Sequence, residues 1–425
     1  MAVFGRINYN YANRYLLNLN ARRDGSSRFG PANRFANFGA IGAGWVITEE
    51  PFFQKRPSWI HFAKLRGSFG VTGNDQIGDY LYLDAWATSN TYQYGGVSGM
   101  LPNRLFNPYF QWERNRKLEV ALDLSFWGNR VNLTTAWYRN RSDNQLINYK
   151  LPTQTGFGTI LKNLDALVQN TGLEVELGSK NFVGSRFAWS TNLNLTIPKN
   201  KLLRYPGLEI SSDRLNYAIG EPLSVLFGYR YEGVDPQTGV YVFTDINKDN
   251  LINATGDYEP MGNLGIKWQG GIQNTFQYKR WEADIFFQCV SQTGRSYLGQ
   301  AATRPGFMRN QTVYVLDRWQ APGDVTAVQR FTQSTASPAY AAYNNLRNSE
   351  AVLTDASFIR LKNVSLSYSL PERWTKKIRF SNVRLYVEGR NLLTITSYKG
   401  ADPETQNLTS LPPLKTLVAG IHINL

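Results

Sequence analysis

The segment Leu417-Val418-Ala419-Gly420-Ile421-His422-Ile423-Asn424-Leu425 sets Leu417, Ala419, Ile421, Ile423 and Leu425 on one face. Val418, Gly420, His422 and Asn424 fall on the other. Alternation of period two is the mark of a β-strand with different solvents on its two sides. Such a strand needs pairing partners, and the partner expected for a last strand is the first strand of a closed barrel. Segments of this kind recur along the chain, at lengths near the ~9–11 residues that carry a tilted strand across a bilayer.

Working back from that segment, Val364, Leu366, Tyr368 and Leu370 oppose Ser365, Ser367 and Ser369, and Ala283, Ile285, Phe287 and Cys289 oppose Asp284 and Gln288. Trp189, Leu193, Leu195 and Ile197 oppose Ser190, Asn192, Asn194 and Thr196. Leu118, Val120, Leu122, Leu124 and Phe126 oppose Glu119, Asp123 and Ser125, and Val131, Leu133, Thr135 and Trp137 oppose Asn132, Thr134 and Tyr138. Between those two, Gly128-Asn129 reads as a two-residue hairpin connection. Tyr15, Leu17, Leu19 and Ala21 face away from Arg14, Asn18, Asn20 and Arg22, with Leu16 the exception. The polar faces are neutral and small, where a soluble sheet commonly carries more Lys and Glu. Period two alone does not separate a membrane barrel from a soluble sandwich.

Roughly fourteen strands are expected, joined alternately by tight turns and long polar excursions. The excursions are placed near 73–111, 144–170, 200–221, 235–262 and 293–354. Loops beyond about 15 residues are rare in compact soluble domains. Short turns at one end and long loops at the other are the habit of outer-membrane barrels.

Composition agrees. Of 425 residues 18% are charged and 14% aromatic, with 36 glycines, which favours an all-β chain rich in turns. The single cysteine, Cys289, excludes an internal disulfide framework. The net charge of +14 is spread among aromatics with no basic arm or recognition helix, so nucleic acid is not the expected partner. Basic residues lining a water-filled interior or meeting anionic lipid headgroups explain it better. No run of 18 apolar residues marks a transmembrane helix. The opening MAVFGRINYNYANRYL alternates like a strand and lacks a signal-peptide core, so either the protein is cytoplasmic or its true N-terminal region lies upstream, and the strand pattern favours the second.

Several phrases, in one order, resemble a known family. They include RRDGSSRFG from Arg22 to Gly30, GAGWVITEEPFF from Gly42 to Phe53, and KLRGSFGVTGND from Lys64 to Asp75. The stretch from Trp112 to Leu146 follows, then DASFIRLKNVSLSYSLP from Asp355 to Pro371 and VEGRNLLTITSYKGADPE from Val387 to Glu404. Together they resemble the C-terminal part of the SusC/RagA family, TonB-dependent outer-membrane transporters of Bacteroidetes-type bacteria. The resemblance implies an all-β fold in which residues 1–425 form part of an antiparallel transmembrane β-barrel of about twenty-two strands. It implies a plug inside the barrel, a SusD/RagB-like lipoprotein lid outside, energy through the TonB complex, and a glycan or oligopeptide cargo. No signal peptide, TonB box, plug or early strand is recognisable in the sequence, so the chain is expected not to transport alone. The spacing of Gly420, Ile423 and Leu425 fits the family's insertion signal, with Val418 where a polar residue is customary.

One loop carries candidate metal chemistry. In DINKDNLINATGDYE, Asp245, Asn247 and Asp249 stand at positions one, three and five of a calcium loop, with Asn253 at position nine. Asn250 replaces the turn glycine, and Gly256 stands where a bidentate carboxylate belongs, one residue before Asp257. The competing reading is a turn held by its own Asx bonds. No cofactor is otherwise required. Tyr11, Trp45, Trp137, Tyr138, Trp189, Tyr368 and Tyr386 are candidates for interfacial girdles. Tyr80, Tyr82, Trp86, Tyr92 and Tyr94, in a long loop, suit stacking on cargo or packing among loops. His61 and His422 lie on separate strands without a serine or acidic neighbour in sequence, so no catalytic residue is expected. Two other functions share parts of this pattern: a passive diffusion pore, and a soluble carbohydrate-binding β protein.

Overall fold

In the computed structural model the residues described are all except 54, 301–302, 376–379, 409 and 425, and the side chains of 90–92, 94, 153 and 299–300. Leu425 and its part in the insertion signal therefore lie outside the described residues. The first half contains β1 (Ala2–Tyr11), β2 (Tyr15–Gly25), β3 (Phe35–Val46), β4 (Ile60–Asn74), β5 (Ala85–Tyr94) and β6 (Val97–Arg104). It continues with β7 (Glu113–Phe126), β8 (Val131–Lys150), β9 (Thr159–Val183) and β10 (Phe187–Arg204). The second half holds the short β11 (Val225–Gly228), β12 (Tyr231–Val234), β13 (Tyr241–Phe243) and β14 (Glu259–Asn263). Then come β15 (Ile266–Tyr278), β16 (Trp281–Arg295), β17 (Leu353–Asp355), β18 (Phe358–Ser369), β19 (Asn382–Thr396) and β20 (Thr416–Asn424).

A 14-stranded antiparallel sheet runs β1-β2-β3-β4-β7-β8-β9-β10-β15-β16-β18-β19-β20, with β17 beside β16. The chain divides into two compact units, one of 1–175, 198–212 and 219–221, the other of 176–197, 213–218 and 222–425. No helix among the described residues is long and apolar enough to cross a membrane.

In the first unit one face of the sheet is greasy and uncovered. Ile41 pairs with Phe69, Leu65 with Leu122 and Val120 with Trp137. Ile41, Leu65, Phe69, Val120 and Trp137 keep 40–48% of their surface exposed. In the second unit Leu366 pairs with Val387 and Tyr368 with Leu385, and Val387 is 54% exposed. A sandwich would bury these residues under a second sheet. Their exposure on the face that should form its core excludes the soluble sandwich and suits hydrocarbon.

The opposite face is polar. Asn8, Asn18, Lys64, Arg66, Ser68 and Glu119 share it in the first unit, together with Leu16, the residue that broke the alternation of β2. In the second unit Asn363, Ser365, Ser367, Arg384, Glu388 and His422 share it.

Tight connections join β1 to β2, β7 to β8, β9 to β10 and β15 to β16, all at one end of their strands. The 127–130 turn is wider than the two-residue hairpin expected. Trp127, Gly128 and Asn129 all have positive φ (48°, 66° and 65°), and the Arg130 N–H closes on the Phe126 carbonyl at 3.0 Å. The long loops also need correction. The stretch 144–170 is mostly strand, since β8 runs to Lys150 and β9 starts at Thr159. The segments near 200–221 and 235–262 belong to one excursion between β10 and β15. At 25 residues β9 reaches roughly 80 Å, far beyond one bilayer crossing, so its loop-side part stands clear of the membrane.

Candidate functional site: polar face and folded loops

Cross-strand ion pairs and amides order the polar face of the first unit. Arg66 on β4 reaches Glu119, and also Asp123 at 3.3 Å, both on β7; Thr134 on β8 donates to Asp123 at 3.1 Å. These residues meet because Ser68 pairs with Glu119, Lys64 with Asp123, and Asp123 with Thr134 in the sheet register. In the second unit Asp284 accepts from Gln273 at 2.7 Å and Thr275 at 2.8 Å, and Arg384 stands 3.7 Å from Glu282. His422 sits opposite Arg384 in register on this face. Amides, hydroxyls and paired charges make this face wettable.

Two girdle candidates are on the wrong face. Tyr138 lies over Gly172, where an added Cβ would come 2.6 Å from its ring, and Tyr386 lies over Gly420 in the same way at 2.5 Å. Both rings belong to the polar side, because aromatic identity does not override strand parity. Trp137 and Tyr368 keep the apolar side, and Trp281 packs on Tyr368 with ring centroids 4.7 Å apart. Tyr11, Trp45 and Trp189 also lie on residues of apolar parity, Trp45 opposite Tyr15 and Trp189 opposite Phe276.

Beyond the strands the long loops fold. Phe29, Tyr82 and Phe110 form one buried cluster, bounded by Ile77, Leu81, Trp112, Leu146 and Leu161. Tyr82 is therefore a packing residue. Tyr80 and Trp86 stay more than half exposed, and the side chains of Tyr92 and Tyr94 lie outside the described residues. In the second unit Tyr229, Tyr241, Phe243, Ala342, Tyr343 and Leu346 make a core of their own, drawn from the excursions that follow β10 and β16. The Tyr229 N–H donates to the Asn348 carbonyl at 2.9 Å and ties the two excursions together. Burial pushes the phenols of Tyr229 and Tyr231 up to about 12.

A buried ion cluster anchors the loop between β19 and β20. Arg360 of β18, 1% exposed, pairs with Asp402 and Glu404 and donates to Thr394 at 3.0 Å. Lys362 adds a pair to Glu404 at 3.3 Å. Gln292 donates to the Pro403 carbonyl at 2.7 Å, and the Tyr398 hydroxyl to the Arg295 carbonyl at 2.8 Å. Sequence reasoning missed this cluster. The one available signal was the Asp402-x-Glu404 pair in a loop whose anchor lies 42 residues upstream, a link only the register supplies.

The structure brings Asp245, Asn247, Asp249, Asn253 and Asp257 into one loop, but bonds them to the backbone. Asp245 accepts the N–H groups of Lys248 at 2.7 Å and Asn250 at 2.7 Å; Asp249 accepts that of Leu251 at 2.8 Å. Asn253 caps the short helix α1 (Ala254–Asp257) by accepting from Thr255 and Gly256. Fully buried Asp257 accepts from Ile246 and Asn253, each at 2.9 Å. Among the described residues no group of three or more His, Cys, Asp or Glu is arranged to hold a metal. The geometry is that of nested Asx turns.

Known proteins agree with this architecture. The family model described as TonB dependent receptor-like, beta-barrel matches residues 1–392. TonB-dependent receptor P3 of Formosa agariphila is 31% identical over 95% of this chain and 42% of its own length. TonB-dependent receptor SusC of Bacteroides thetaiotaomicron is 26% identical over 100% of this chain and 43% of its own. The chain thus spans about two-fifths of the curated relatives it matches. The solved RagAB peptide transporter superposes with a TM-score of 0.82 at 24% identity, over 99% of this chain and 47% of that one, a likeness of fold. The chain belongs to the TonB-dependent receptor-like β-barrel family of the outer membrane.

Proposed function

We propose that this chain forms barrel wall and extracellular loops of a TonB-dependent nutrient importer, with a glycan or an oligopeptide as cargo. The observation that carries the reading is the two-faced sheet: an uncovered apolar side, and a side of amides, hydroxyls and paired charges. A lipid-facing wall around a wet interior needs that division. The folded loops supply the second support. Each unit buries an aromatic cluster among its long loops, Phe29, Tyr82 and Phe110 in the first and Tyr229, Tyr241, Phe243 and Tyr343 in the second, where cargo and a lid would be met.

Chemistry in the sense of bond making has no place in this reading, since a transporter's work is binding and passage. The partners it implies are a SusD/RagB-like lipoprotein lid, a plug and the TonB complex. Among the relatives, RagAB is a peptide transporter, and SusC is a TonB-dependent receptor. Oligopeptides and glycans, the two cargoes that the sequence resemblance implies, both enter the test. Cells carrying the gene in its native setting, and cells lacking it, should be compared for uptake of labelled oligopeptides and glycans, with and without a functional TonB. Loss of one cargo in the deletion strain and in the TonB-deficient strain supports the proposal. Uptake that persists without TonB favours a passive pore.

A further inference from the structure

On the first unit's apolar face, each of three strands ends its greasy run in arginine towards the long-loop end. On β7 the outward residues Phe126, Leu124, Leu122, Val120 and Leu118 are followed by Arg116 and Arg114. On β8 Val131, Leu133, Thr135 and Trp137 are followed by Arg139 and Arg141, and on β2 Leu17, Leu19 and Ala21 by Arg23. Counting from Phe126, Arg116 comes after ten residues (126 − 116), where the ~9–11 residues of a tilted crossing are spent. Long loops of outer-membrane barrels are extracellular, so this rim lies at the headgroups of the outer leaflet.

The charges there do not balance. Arg116 stands directly opposite Arg141 in the β7–β8 register, and Arg114 opposite Asp143. Asp143 takes both Arg116 at 2.8 Å and Arg114 at 3.1 Å. Arg141 has only the neutral Gln169, at 2.8 Å, and Arg139 faces Leu118 with no ion-pair partner among the described residues. Like charges directly opposite on neighbouring strands are destabilising. Two adjacent strands that carry four guanidinium groups and a single carboxylate along this rim want an anion. The forked donors of arginine match a phosphate with paired bonds, and their aliphatic stems can lie along the apolar face below. Trp137 beside Arg139 is a residue type favoured at that depth. On the second unit's apolar face β15 carries Trp268 and Ile266 at its loop end, and β19 Leu393 and Ile395, all exposed.

We propose that Arg114, Arg116, Arg139 and Arg141 form a site for the phosphate of an outer-leaflet lipid, fixing one lipid class against this part of the wall. The inference rests on the apolar face meeting lipid. The chain, folded in non-ionic detergent, is titrated with phosphorylated lipid A, with the same lipid after enzymatic dephosphorylation, and with inorganic phosphate; bound lipid is read by native mass spectrometry. The phosphorylated lipid should bind, and the Arg116→Gln/Arg141→Gln variant should bind it about tenfold or more weakly, the scale of lost charge-assisted bonds. Arg139→Gln leaves the Asp143 cluster intact and should also weaken binding, while Arg186→Gln, in the 184–186 turn at the other end, should not. Equal binding of the dephosphorylated lipid, equal competition by inorganic phosphate, or unchanged affinity in both belt variants would each overturn the site. Heat-dependent gel migration reports barrel folding separately, so a failed barrel is distinguishable from a failed site.

Discussion

Tyr386 of β19 lies across Gly420 of β20 so closely that a Cβ at position 420 would stand 2.5 Å from the ring. The last two strands of the sheet are locked by that fit, on the polar side. Tyr138 of β8 and Gly172 of β9 repeat it in the other unit. Gly420→Val should therefore destabilise the folded chain by about 1–3 kcal/mol, the usual cost of overpacking. Urea unfolding in lipid vesicles measures this. Adding Tyr386→Ala to Gly420→Val should relieve the clash and restore part of the loss; an unchanged midpoint for Gly420→Val would show the ring to be free to move.

Arg360→Ala leaves the carboxylates of Asp402 and Glu404 without their buried partner. Removing one member of a buried pair costs about 3–5 kcal/mol, and Glu404, 36% exposed, puts this case near the lower value. The expected outcome is release of the 397–415 loop with the wall strands intact. Limited proteolysis should cut that loop in the variant and spare it in the parent. Equal resistance in both would show that Gln292 and Tyr398 hold the loop without the arginine.

The tyrosine core of the second unit should fail in alkali before the barrel does. Tyr229 and Tyr231 have folded values near 12 against about 10 when unfolded, because burial disfavours the phenolate. Below the unfolded value both states are neutral and the stabilisation is complete. As pH rises from about 10 towards the folded value the unfolded state ionises first, and the stabilisation drains away. Phenolate absorbance should then show a late cooperative step that Tyr229→Phe reduces. Titration of all tyrosines at the ordinary value would contradict the burial.

The Asp245 loop should keep its shape without an ion. Its carboxylates already accept backbone N–H groups from Lys248, Asn250, Leu251, Ile246 and Asn253. A chelator followed by excess calcium should leave the thermal midpoint of the loops unchanged. A calcium-dependent rise, abolished by Asp249→Asn, would establish the ion that the spacing suggested.

Much of the wall was legible because strand parity is local: Leu118 to Phe126 and Val364 to Leu370 declare their faces in consecutive residues. What escaped depends on partners distant in sequence. Tyr386 read as a girdle aromatic until pairing set it over Gly420, and Tyr138, already of polar parity with Asn132 and Thr134, gained its partner Gly172 only from pairing. The Arg360 cluster joins positions 42 residues apart, and 144–170 read as loop because its strand half carries polar residues on both faces beyond the bilayer. The tyrosine core was hidden for the same reason, since its members come from two separate excursions.

The most direct measurement is a spin-label scan of 119–125 on β7, in a Cys289→Ser background and in lipid vesicles. Labels at Val120, Leu122 and Leu124 should be accessible to oxygen dissolved in hydrocarbon, and labels at Glu119, Ala121 and Asp123 to a water-soluble nickel chelate. A scan in which all seven positions are shielded from oxygen would mean that the greasy side meets protein, and the account of a membrane wall would fall.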